Sequence, residues 1–211
     1  QITVDRNLNN SNDVRIVVYA QDNSDNMSNA YTAIQIDVTQ PSIDISYDNN
    51  NGDASFGTST YFNADRTATI RITERNFNAD DVQITITNTD GTVPAVSNWS
   101  SSAGTGNGDD AVHTATVTYS ADGDYVFAIS YADLAGNTNT DINYRNSAAP
   151  EQFTIDKTVP VINVTYDNNS MQNDNYYNAV RTATISITEH NFDAGRYNIT
   201  LTASDDGADK A

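Results

Sequence analysis

No cysteine occurs in the 211 residues. That excludes disulfides, thiol nucleophiles, cysteine redox centres and thiolate zinc clusters. A unit of roughly 100 to 120 residues buries enough surface to fold without such staples. Basic residues are nearly as scarce, with ten Lys and Arg against 28 Asp and Glu, for a formal charge of −18. Phosphate backbones need clustered cations to replace their counterions, so no nucleic-acid partner is expected. Long apolar runs are also missing. Stretches such as residues 14–20 fall far short of the roughly 20 apolar residues a spanning helix needs, so no membrane insertion is expected. Only two histidines are present. His113 falls on a predicted strand, and His190 stands in a turn where an upstream copy has Arg75; neither reads as a ligand or base, and surface roles are expected for both. No signal peptide is visible at Gln1, but the chain opens in mid-repeat, so its absence there does not count against export.

What the chain does have is a sentence written twice. Residues 155–169, Ile-Asp-Lys-Thr-Val-Pro-Val-Ile-Asn-Val-Thr-Tyr-Asp-Asn-Asn, echo residues 36–50, Ile-Asp-Val-Thr-Gln-Pro-Ser-Ile-Asp-Ile-Ser-Tyr-Asp-Asn-Asn. Pro41 and Pro160 lie 119 positions apart (160 − 41), the length of one small domain. Each Pro reads as a seam, giving a partial repeat at 1–40, a complete one at 41–159 and a second partial one at 160–211.

Within the complete repeat the apolar period is two, the signature of half-buried strands. Ile43, Ile45 and Tyr47 mark strand A. A polar turn is expected over 48–64, then strand B with Ala68, Ile70 and Ile72, and strand C with Val82, Ile84 and Ile86 before the turn signal Asp90-Gly91. Residues 95–111, rich in Ser, Gly and Asn and carrying the lone Trp99, read as a long connection with at most a short edge strand. Ala115, Val117 and Tyr119 mark strand E; Tyr125, Phe127, Ile129 and Tyr131 mark strand F; and Asp133 to Asn137 form the next turn. The final strand, 142–155, is interrupted at Pro150, which suits an edge.

The flanks are pieces of the same plan. Residues 176–185 repeat 61–70 at an offset of 115 (176 − 61), Thr188 to Phe192 repeat Thr73 to Phe77, and 197–201 repeat 82–86. The C-terminal piece therefore supplies strands A, B and C. At the other end Asp22 to Asn26 match Asp133 to Asn137 at an offset of 111 (133 − 22), with Val14, Ile16 and Val18 matching the inward set of strand F. The N-terminal piece supplies E, F and G.

Gly123-x-Tyr125-x-Phe127 resembles the tyrosine corner of immunoglobulin-like sandwiches, in which the Tyr hydroxyl ties down the corner backbone. Together with the Ile-Asp-Lys-Thr-x-Pro seam and the Asp-x-Ala-Gly-Asn turn, it resembles bacterial immunoglobulin-like repeats over the whole chain. Val14 in place of the corner Tyr, and Asp25 in place of the turn Gly, are departures in the N-terminal piece. The resemblance implies an all-β fold of tandem immunoglobulin-like β-sandwiches at an extracellular bacterial surface, spacing or displaying something else. The expected role is a structural stalk or fibre and not an enzyme; the alternative is an adhesive module that binds a host glycan or protein through its loops.

Three-strand halves with an apolar face and open edges need a cover. The halves are complementary, so the expectation is that the C-terminal half of one molecule completes the N-terminal half of the next, head to tail. The plainer alternative is arbitrary truncation of a longer array.

Two sites are candidates. Calcium is the sharper: the seam acid Asp156, Glu189 of the B–C turn and the F–G turn share one pole, where Asp48, Asp122 and Asp124 from the preceding domain's turns would meet them. The equivalent set at the first seam is Asp37, Glu74 and Asp133. Oxygen ligands of this kind suit a hard cation, although turn acids are also favoured for backbone reasons and no Asp-x-Asp-x-Asp-Gly loop exists. The second is Trp99, which with Tyr61, Phe62, Tyr176 and Tyr177 reads either as an aromatic platform for sugar rings or as a pin for a long connection.

Overall fold

The computed structural model describes residues 2–3, 11–50, 52, 60–105, 110–139, 151–173 and 176–202. These residues form strands and turns, with one short 3-10 turn at Ala79–Asp81 whose cap, Asn78, accepts the Asp80 N–H. The chain divides into two compact units, 1–157 and 158–211. The division falls between Lys157 and Thr158, just before Pro160, and the first partial repeat lies in the same unit as the complete one.

The first unit opens with a hairpin of β1 (Ser11–Gln21) and β2 (Met27–Ile36). Among the described residues eight further strands follow: β3 (Ser42–Tyr47), β4 (Thr60–Phe62), β5 (Arg66–Thr73), β6 (Gln83–Asn88), β7 (Ser100–Ser102), β8 (Val112–Tyr119), β9 (Gly123–Ser130) and β10 (Glu151–Ile155). They make two four-stranded sheets, ordered β3-β5-β8-β7 and β4-β10-β9-β6. Alternation sends every second side chain inward, and Ile43, Ile45, Ile70, Ile72, Val117, Phe127, Phe153 and Ile155 close one buried core. At the corner before β9 the Tyr125 hydroxyl donates to the Ala121 carbonyl at 2.9 Å. Gly123 there has φ +137°, and a Cβ on it would run into the Asn88 side chain, so only glycine turns this corner without strain.

Three expectations need correction. The polar stretch 48–64 contains a strand, because β4 pairs in parallel with β10. With β9 on its other side, β10 is an interior strand and not an edge; Pro150 and the rest of 140–150 lie outside the described residues. Residues 197–202 form no strand. Among the described residues, the matching β6 of the complete repeat pairs with β9, and those of the second unit include no copy of β9. Strand E of the N-terminal piece falls mostly on 4–10, outside the described residues.

The second unit pairs β11 (Val161–Tyr166) with β12 (Ala183–Thr188). Its register repeats the first: Val164 faces Ile185 as Ile45 faces Ile70, and Tyr166 faces Ala183 as Tyr47 faces Ala68. The opening hairpin does the same for the other end of the repeat. Thr32 faces Ile16 as Glu151 faces Phe127, and Ile34 faces Val14 as Phe153 faces Tyr125. Its turn is also copied bond for bond. Asp22 accepts the Ser24 and Asn26 N–H groups and the Asn26 amide, as Asp133 accepts from Ala135 and Asn137. Asp25 adopts φ +63° where Gly136 has +85°, a conformation that Asp tolerates better than most residues.

Candidate metal centre at the first seam

Among the described residues, Asp37, Glu74 and Asp133 gather so that one oxygen of each lies within 4.8 Å of the others. Three strand ends bring them there: Asp37 follows β2, Glu74 follows β5 and Asp133 lies just beyond β9. The turn after each strand then holds its acid. Asp133 takes the Ala135 and Asn137 N–H groups at 2.9 and 2.8 Å and the Asn137 amide at 2.8 Å. Glu74 takes the Asn76 N–H at 2.8 Å, and Asp37 takes the Asn76 amide at 2.5 Å. Asn137 also donates to the Asp37 carbonyl, stitching the seam to the F–G turn.

Positive charge is already present. Arg75 lies 3.2 Å from the Asp37 carboxylate, both side chains nearly buried, and donates to the Ile36 carbonyl. Below the cluster His113 is buried, stacked on Phe77 at 4.0 Å between ring centres. Its Nε2–H donates to the Glu74 carbonyl, which leaves Nδ1 facing the Ser101 hydroxyl at 2.7 Å. This corrects the surface role expected for His113. Burial, followed by the nearby charges of Asp37 and Asp133, raises the Glu74 pKa. Burial likewise pushes the Tyr131 hydroxyl up to about 12.

The donor set is all oxygen, as a hard cation requires, but calcium takes six to eight such ligands. Here much of the lone-pair capacity is spent on turn N–H groups, and a guanidinium occupies the cluster's edge. The single guanidinium offsets only one of the three carboxylates, but with their oxygens already engaged the residues fit a hydrogen-bonded clasp better than a calcium cage.

The other expected ligands were assigned to the second seam, and each has a local partner of its own. Asp48 accepts the Asn49 and Thr67 N–H groups, and those bonds lower its pKa. Asp122 accepts the Lys157 N–H and Asp124 the Thr154 hydroxyl, so both tie down the end of the repeat. The Asp156 N–H donates to the Phe62 carbonyl. In the second unit Glu189 accepts the Asn191 N–H at 3.1 Å, repeating the Glu74 turn. Trp99 is half-buried against Phe77, ring centres 5.2 Å apart, and Phe62 is in the core; Tyr176 is exposed.

Comparison with known proteins adds no identity. No protein-family model, curated protein or solved structure matches this chain.

Arg75, His113, Arg66 and Glu151 were not read as interior residues, yet three of them carried the signal. Arg66 is in step with Ala68, Ile70 and Ile72; His113 is in step with Ala115 and Val117; Glu151 is in step with Phe153 and Ile155. Parity alone points all of them inward.

Proposed function

We propose that this chain is a stretch of tandem immunoglobulin-like repeats with a structural role, spacing a more distal part away from a bacterial surface, and that it performs no catalysis. The observation that carries the reading is the recurrence of strand register: β1–β2 copies β9–β10 and β11–β12 copies β3–β5. A blueprint copied to the level of opposed residue pairs is how solenoid and bead arrays gain length. The sheet orders β3-β5-β8-β7 and β10-β9-β6 agree with the A-B-E-D and G-F-C order of that sandwich, and the Tyr125 corner agrees too. The clasp of Asp37, Glu74, Asp133 and Arg75 supports the same role, because it ties the linker to the sandwich it enters.

The test places one, two or four copies of residues 41–159 between a surface anchor and a reporter domain on bacteria. The reporter's reach is expected to grow in proportion to copy number. A reach that does not grow overturns the spacer reading, and host-cell binding abolished by Trp99→Ala would favour the adhesive one.

A further inference from the structure

We propose that the seam between β2 and β3 is a rigid joint, in which Asp37 is gripped from both sheets of the sandwich and holds the β1–β2 hairpin at one fixed angle to it. The proposal deepens the structural reading, since a spacer built of stiff joints reaches further than one built of swivels, but it stands on contacts of its own.

Residues 37–41 connect the last residue of β2 to the first of β3. A short connector still swivels when nothing holds it, and relative motion is the default between units that share little surface. This one is held at successive points. The Ile36 carbonyl accepts from Arg75. The Asp37 carboxylate pairs with the same guanidinium at 3.2 Å, both side chains 3 % exposed, and takes the Asn76 amide. The Asp37 carbonyl accepts the Asn137 amide at 3.2 Å, and its carboxylate also takes the Thr39 N–H at 3.0 Å. Pro41, whose ring fixes φ, is buried.

The grips come from two sides. Arg75 and Asn76 follow β5, in the sheet β3-β5-β8-β7, whereas Asn137 follows β9, in the facing sheet. A rotation of the hairpin about the seam that preserves one set of bonds breaks the other, so two anchor points remove the freedom that one would leave. The gripping groups are themselves set. Glu74 takes the Asn76 N–H, and its carbonyl accepts from His113. The Asn78 N–H donates to the Tyr131 hydroxyl at 3.1 Å, and the Asn137 amide also donates to Asp133 at 2.8 Å. The gathering of three carboxylates thereby has a use that needs no ion: Glu74 and Asp133 place Asn76 and Asn137, and these hold Asp37. A buried polar network of this kind rigidifies what it joins.

Residual dipolar couplings of the full chain test this, because the amides of two elements share one alignment tensor only when the joint between them is stiff. Wild type is expected to fit a single tensor across β1–β2 and β3, β5, β8 and β9. Asn137→Ala removes the grip of one sheet and keeps the turn's backbone bonds to Asp133; Arg75→Gln removes the charged grip of the other. In each, the hairpin couplings should shrink relative to those of the sandwich while the hairpin keeps its cross-strand nuclear Overhauser effects. Should Arg75→Gln unfold the sandwich, Asn137→Ala decides alone. A wild-type hairpin that needs a tensor of its own or shows couplings near zero would overturn the proposal. So would an Asn137→Ala hairpin whose couplings stay as large as the sandwich's, or one that loses its cross-strand effects together with its couplings, since the amide would then serve folding and not stiffness. A stiff joint in a chain whose surface reporter gains no reach with copy number would leave the joint standing and refute the spacer role; a loose joint with growing reach would do the reverse.

Discussion

Arg66 of one sheet and Glu151 of the other meet at 3.2 Å inside the sandwich, both side chains 1 % exposed. The guanidinium lies 3.6 Å from the centre of the Tyr47 ring and 4.6 Å from that of Phe153, so its charge is met by one carboxylate and the faces of aromatic rings. Removing only the acid strands a buried cation. Glu151→Ala should cost about 3–5 kcal/mol in urea denaturation, whereas Arg66→Met combined with Glu151→Leu should be near neutral. A Glu151→Ala loss below about 1 kcal/mol would mean that water reaches the pair.

Glu74 carries a pH signature. Its pKa is raised in the folded chain above the ordinary 4.5, so between those two values the native state holds more protons than the unfolded one. Stability must then fall as pH rises through that window. Asp48, lowered below 3.8, acts oppositely: its contribution is present above 3.8 and disappears on acidification through the lowered value. Glu74→Gln keeps an acceptor for the Asn76 N–H and removes the charge. Its melting temperature at pH 7 should equal or exceed that of wild type, with the decline that sets in above pH 4.5 flattened. A steeper decline would assign the window to another group.

Arg75 supplies the clasp's internal cation. In wild type, chelation should leave the melting temperature unchanged. Arg75→Gln leaves three carboxylates clustered without that charge, and should lower the melting temperature at pH 7. Millimolar calcium should then restore part of the loss by binding the native state. If calcium stabilises wild type as strongly as Arg75→Gln, the guanidinium is not what keeps the ion from the cluster.

Strand identity was legible because burial imposes a period of two, and because most of the apolar runs occur twice. What escaped was short or parity-breaking. β4 has three residues, too few for alternation to register, and its one sign was a pair of aromatics, Tyr61 and Phe62, in a polar stretch. In β10 neighbours on both sides, with Thr154 as well as Phe153 and Ile155 buried, blur the alternation expected of an edge. The clasp acids were named from topology, since seam, B–C turn and F–G turn share a pole. Arg75 was not, because it lies beyond the strand where parity no longer applies.

The same residue in two copies gives the plainest test of what burial contributes. Ile70 on β5 and Ile185 on β12 occupy one position of the blueprint, each opposite a β-branched or Ile partner, Ile45 or Val164. Ile70 is wholly buried and Ile185 is not. Truncating Ile70 to Ala removes apolar contacts and opens a cavity, at about 2–5 kcal/mol. Truncating Ile185 in dilute solution removes only partly covered surface, and should cost less than about 1 kcal/mol. Trp99 is the sole tryptophan and packs on the core of the complete repeat, so its fluorescence reports that domain alone. The denaturation midpoint it reads should drop for Ile70→Ala and stay in place for Ile185→Ala. Equal shifts would show that the two units unfold as one, contrary to their division between Lys157 and Thr158.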